Sequence, residues 1–99
     1  MSPRHAFITG GSSGIGLALA QQLAAQGTRL SLFARDPTKL AHAALEITTR
    51  HPERPEICLQ PGNVADETAV RTAITAAESA HGPIDLLITS AGLAEADYF

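Results

Sequence analysis

Between Thr9 and Gly16 the chain reads TGGSSGIG, with glycines at 10, 14 and 16 and hydroxyls at Ser12 and Ser13. Residues of these types suit phosphate binding, because glycines leave backbone N–H groups uncovered and serines add donors. The stretch follows a short apolar run, Ala6, Phe7 and Ile8, that reads as a buried strand, and it precedes an amphipathic run that reads as a helix. A strand turning through glycines into a helix gathers several N–H groups and the positive end of the helix dipole at one point. In that arrangement Gly10 supplies the sharp turn, Gly14 lets a pyrophosphate approach the backbone, and Gly16 lets the helix pack close to the strand.

The spacing separates the nucleotide classes. Gly11 and Gly16 have the separation of a P-loop, but Leu17 stands where the phosphate-binding lysine belongs. The GxGxxG fingerprint also fails, since Gly14 and Gly16 would require a small residue at Leu19. What remains is TGxxxGxG. On these residues the chain resembles the short-chain dehydrogenase/reductase family, whose cofactor loop has this pattern, commonly with the Gly-Ile-Gly ending seen at Gly14, Ile15 and Gly16. The resemblance implies an NAD- or NADP-dependent oxidoreductase built on a Rossmann-like, doubly wound parallel sheet.

Length and composition agree with one α/β domain spanning residues 1–99. A domain of this size buries only about 60–65% of the surface its unfolded chain exposes, so its core is modest. The net charge of −3 and pI near 5.7 offer no basic patch for nucleic acid or an anionic membrane. Cys58 is the sole cysteine, which excludes an intrachain disulfide and reads as a buried apolar residue. His5, His42, His51 and His81 have no chelating spacing and read as solvated or locally engaged, so no metal is expected. No apolar stretch approaches the roughly 20 residues of a membrane span, and strand residues begin too early for a signal peptide. A cytoplasmic location is the expectation.

The positioning elements alternate. Ile15, Leu19 and Leu23 fall at helical spacing, and Gly27 is placed to end that helix. Arg29–Ala34 is a strand. Asp36 caps a helix with Pro37 at its first position, carried by Leu40, Ala44 and Ile47 and ending at Arg50. Ile57–Leu59 is the third strand, broken by Pro61, Gly62 and Asn63. Asp66 caps a third helix carrying Val70, Ile74 and Ala77, closed by Gly82 and Pro83, and Ile84–Ile88 is the fourth strand. Four strands and three helices in alternation imply parallel strands, right-handed crossovers and helices on both faces: the first half of a doubly wound sheet.

The end of the second strand reaches the adenosine ribose about 20 residues after the glycines and selects between NAD and NADP. Aspartate would accept from the ribose hydroxyls, whereas arginine would pair with a 2′-phosphate. NAD users in the resembled family usually end this strand in aspartate; here Ala34 and then Arg35 stand there, as in many NADP users. Asp36 is accounted for as a helix cap, and Lys39 is either a second cation for the phosphate or a solvated surface residue. The resemblance further places Asn63 and Val64 at the adenine, where the family often has Asp-Val. Its Asn-Asn-Ala-Gly signature corresponds to Thr89, Ser90, Ala91 and Gly92, of which Ala91 and Gly92 match and let the cofactor pass close to the backbone. In the family the signature's first asparagine makes sheet-stabilising hydrogen bonds, which Thr89 in its place puts in doubt.

The resemblance runs from His5 to about Phe99 and covers the first half of a family member. The catalytic serine and Tyr-x-x-x-Lys motif of the family belong to later segments, and Tyr98 is not assigned to that role. The wording FITGGSSGIG, LFARD and GPIDLLITSAGLAEADYF is similar to the 3-ketosphinganine reductase branch, which implies a lipid-like ketone reduced by NADPH. That branch is often membrane-attached. Two other readings use the same residues: a non-catalytic dinucleotide-binding module, and a fragment inert without its C-terminal half. In either, a sheet ordered 3-2-1-4 leaves an apolar fourth strand at an edge, which invites self-association.

Overall fold

A computed structural model describes residues 3–10, 14–52 and 56–89. The strands β1 (His5–Thr9), β2 (Arg29–Ala34), β3 (Ile57–Pro61) and β4 (Leu86–Thr89) alternate with helices α1 (Gly14–Ala25), α2 (Pro37–Arg50) and α3 (Glu67–His81). All pairings are parallel, as the alternation predicts, and the sheet order is β3-β2-β1-β4, the usual order of the resembled fold. The chain steps outward from β1 through β2 to β3, then returns past β1 to β4. Right-handed crossovers in opposite directions must lie on opposite faces. Accordingly α1 and α2 cover one face, and α3 covers the other.

The alternation of side chains along each strand sorts the core into two clusters. Ala6, Ile8, Leu30 and Leu32 pack with Ala20, Leu23 and Ala24 of α1 and with Leu40, Ala43 and Ile47 of α2. Phe7 and Phe33 pack with Ala73 and Ala77 of α3. Every residue of β1 is buried, because it lies between two strands and under helices on both faces. At about 25 cal/mol per Å² of apolar surface, such centrally placed side chains dominate the hydrophobic stabilisation.

The helix boundaries follow local chemistry. Asp36 Oδ1 accepts from the Thr38 and Lys39 amides at 2.8 and 3.3 Å, and Asp66 Oδ1 from Ala69 at 3.1 Å. α1 closes with Gly27 at φ 85°, the Gly27 amide on Ala24 and the Thr28 amide on Leu23, the paired bonds of a Schellman motif. Three expectations are corrected. Ile15 is not on the buried stripe of α1 but 55% exposed; the stripe is Gly16, Ala20, Leu23 and Ala24, whose small residues let the helix lie close to the sheet. β3 continues to Pro61, because as an edge strand it tolerates proline beyond the expected stop. β4 starts at Leu86 rather than Ile84, since Ile84 turns into the α3 cluster.

At the amino end of the sheet, His5 follows the engaged rather than the solvated alternative, and is 1% exposed. Its Nδ1 lies 2.8 Å from the Gly82 carbonyl, which can only accept, so Nδ1 donates; Nε2 meets Ser31 Oγ at 2.7 Å. The His81 ring stands edge-on to it, 5.4 Å away, with its own side chain 9% exposed. Cys58 is half-buried rather than buried, because among the described residues β3 pairs with a strand on one side only; its Sγ accepts from Gln60 Nε2 at 3.1 Å.

Candidate functional site

Parallel strands put all their carboxyl ends on one edge, and the strand order reverses at β1, between β2 and β4, the switch point at which open α/β sheets bind ligands. The residues singled out from the sequence come to this edge from separate strands. Thr9 leads into Gly10, whose φ of 70° turns the chain and whose amide donates to the Phe33 carbonyl at 2.7 Å. Gly14 opens α1 at φ 59° and is exposed, and no atom of the described residues lies within 4 Å of the point where a Cβ would stand. Among the described residues, nothing covers the start of this helix, the place where a phosphate site would form. Ile15 is exposed beside it and Gly16 is buried against the sheet. Ser12, Ser13, Ala91 and Gly92 lie outside the described residues.

At the end of β2, the Arg35 side chain is exposed and makes no hydrogen bond or ion pair with any described residue. Asp36 next to it has Oδ1 engaged by the two amides of its own helix. Lys39 gives its amide to that cap and leaves its side chain exposed. The two cations are thus near one helix start, on the same edge as the glycine turn. After β3, Asn63 Oδ1 accepts from the Ala65 amide at 2.9 Å and the Asn63 carbonyl accepts from Asp66, forming an Asx turn that leads into α3. A carbonyl oxygen has two lone pairs, so that oxygen keeps one acceptor site. Val64 is half-buried and packs on the Phe7–Phe33 cluster.

Two residues of this edge escaped the sequence reading as site residues. Phe33 is 1% exposed, and its ring fills the space where a Cβ of Gly62 would stand. Gly62 signalled a break by following Pro61, but nothing in the sequence signals which ring it touches. Among the described residues no group of three His, Cys, Asp or Glu side chains could hold a metal. No described helix is long and apolar enough to cross a membrane.

An open parallel sheet with a glycine turn at its switch point is the architecture of a dinucleotide-binding α/β domain. The family model of short chain dehydrogenases matches residues 4–99, and the chain belongs to that family. A 3-dehydrosphinganine reductase of Arabidopsis thaliana is 47% identical over 92 residues, which cover 91% of this chain and 26% of that protein. A 3-ketodihydrosphingosine reductase of Bos taurus is 34% identical over 91 residues, covering 90% of this chain and 27% of its own length. Both bear out the likeness to the sphinganine reductase branch. L-sorbose reductase from Gluconobacter frateurii, solved with NADPH and L-sorbose, superposes with a TM-score of 0.79 at 32% identity, over 88% of this chain and 32% of that one. The chain thus spans about a quarter to a third of the length of the proteins it matches.

Proposed function

We propose that these residues form the NADP(H)-binding part of a short-chain reductase that delivers a hydride to a ketone. One observation carries the cofactor choice: at the end of β2 the acid is engaged as a helix cap, while the Arg35 side chain is exposed and has no partner among the described residues. The backbone and hydroxyls of Gly10, Ser12, Ser13, Gly14, Ile15 and Gly16 take the pyrophosphate. Arg35, with Lys39 behind it, pairs with the 2′-phosphate, for which a guanidinium offers a planar fork of donors. Asn63 and Val64 hold the adenine, and Ala91 and Gly92 let the cofactor pass close to the backbone. When bound, the cofactor supplies the hydride; the acid that protonates the ketone oxygen belongs to other segments of the complete enzyme. The 3-dehydrosphinganine reductase relatives favour a long-chain, lipid-like ketone as substrate.

Equilibrium binding of NADPH and NADH to the chain, with Arg35→Ala as control, tests this reading. NADPH is expected to bind more tightly than NADH, and Arg35→Ala to weaken NADPH about 10- to 100-fold, the effect of losing a charge-assisted pair, with NADH little changed. Equal loss for both cofactors would remove the 2′-phosphate role from Arg35. Binding of neither by a folded chain would support the inert-fragment reading instead.

A further inference from the structure

Phe33 touches both turns of the carboxyl edge. Its carbonyl accepts the Gly10 amide at 2.7 Å, so it holds the first bend of the glycine loop. Its ring lies against Phe7, with centroids 6.0 Å apart, in the cluster that Val64 and Ala69 join. On the other side the ring reaches Gly62: a Cβ there would stand 2.7 Å from Cζ and 2.8 Å from Cε2. Non-bonded carbons settle at about 3.5–4.0 Å, so any side chain at 62 must displace the ring or the turn. Neither moves freely. The ring is 1% exposed, and the Gly62 amide is tied to the Ala34 carbonyl at 2.8 Å.

We propose that the Phe33–Gly62 contact sets the separation between the Gly10 turn and the turn that carries Asn63 and Val64. Phe33 is then a positioning residue for the dinucleotide, and glycine at 62 is the residue that lets the two turns stand at the right distance. This rests on the reading of the edge as an NADP(H) site. A dinucleotide is gripped at its pyrophosphate by one turn and at its adenine by the other. Both grips form at full strength only if their spacing is preset, since a site slightly misplaced loses the benefit of preorganisation.

The test is NADPH titration of the chain carrying Gly62→Ala, Phe33→Leu, both together, or Ala77→Val, with hydrogen exchange of the Gly10 amide measured without ligand. Gly62→Ala is expected to weaken NADPH about tenfold and to speed Gly10 exchange; adding Phe33→Leu, which removes the obstructing ring atoms, restores both. Phe33→Leu alone leaves a gap instead of a clash and also speeds Gly10 exchange. Ala77→Val overpacks the same cluster toward the far end of α3; it lowers thermal stability while leaving the affinity and the Gly10 amide unchanged. Unchanged NADPH affinity in Gly62→Ala, or a double variant no better than the single, overturns the proposal. If the unsubstituted chain binds no NADPH, the cofactor reading fails separately. Gly10 exchange then decides the contact, and protection retained in both single variants overturns it.

Discussion

Arg35 and Asp36 divide two tasks between neighbouring residues. Asp36 precedes a proline at the first helical position, where its carboxylate meets two amides left without intrahelical partners. Arg35 has no such duty and extends from the end of β2. The two substitutions should therefore separate. Asp36→Ala is expected to cost about 1 kcal/mol of stability, or about 4–8 °C in Tm for a domain of this size, with the NADPH-over-NADH preference retained. Arg35→Ala should do the reverse, changing cofactor preference without moving the thermal transition. A Tm drop in Arg35→Ala as large as that in Asp36→Ala would mean that Arg35 has a structural partner after all.

Where β1, α3 and β4 meet at the amino end of the sheet, stability should depend on pH through two side chains. His81 titrates below its ordinary 6.5, chiefly because burial disfavours the charged ring, then because His5 and Arg29 lie close, with Glu56 opposing. The unfolded chain therefore takes up this proton first as pH falls. The contribution of His81 is complete above about pH 6.5 and diminishes as pH falls toward the lower folded value. Asp85 accepts the Arg4 and His5 amides at 2.9 Å each, and these bonds hold its carboxyl below 3.8. That contribution is present above the unfolded value and is lost as pH falls through the folded one. Urea midpoints are expected to be flat above about pH 6.5 and to decline below it. His81→Phe should flatten the upper part of that decline, and Asp85→Ala should lower the midpoint at neutral pH while shrinking the loss at the acid end. An unaltered slope in His81→Phe would locate the titration elsewhere.

The molecule as a whole presents a sheet whose described strands end at β4. Leu87, facing the α3 side in register with Phe7, is 54% exposed, and no described strand pairs beyond it. A row of unpaired backbone groups beside exposed apolar side chains favours association. Sedimentation of the 99-residue chain is expected to show concentration-dependent self-association that Leu87→Lys reduces. A monomer at all concentrations would mean that this edge is covered. Cofactor binding by these residues should come without turnover, because Tyr98 is the only tyrosine and Lys39 the only lysine, on separate segments. Reductase activity that follows the chain through purification would contradict that expectation.

Much of this protein was legible in the order of its residues. Apolar runs, caps and glycines determined the helix starts at Pro37 and Glu67, the limits of β2 and the parallel alternation, because caps and periodicity act within a few residues of the chain. The glycine spacing likewise determined the class of ligand and the family. Tertiary structure decided what depends on residues distant in sequence. Pairing with β2 carried β3 on to Pro61, and α1 laid Gly16, Ala20, Leu23 and Ala24 against the sheet, which left Ile15 outward. The fold brought His5 against Ser31 and Gly82 across separate elements, which no local pattern encodes. It also set the Phe33 ring against Gly62, a contact that exists only because β2 and β3 lie side by side. Local chemistry determines where elements begin and end; close packing between them determines which side chains meet, and at what distance.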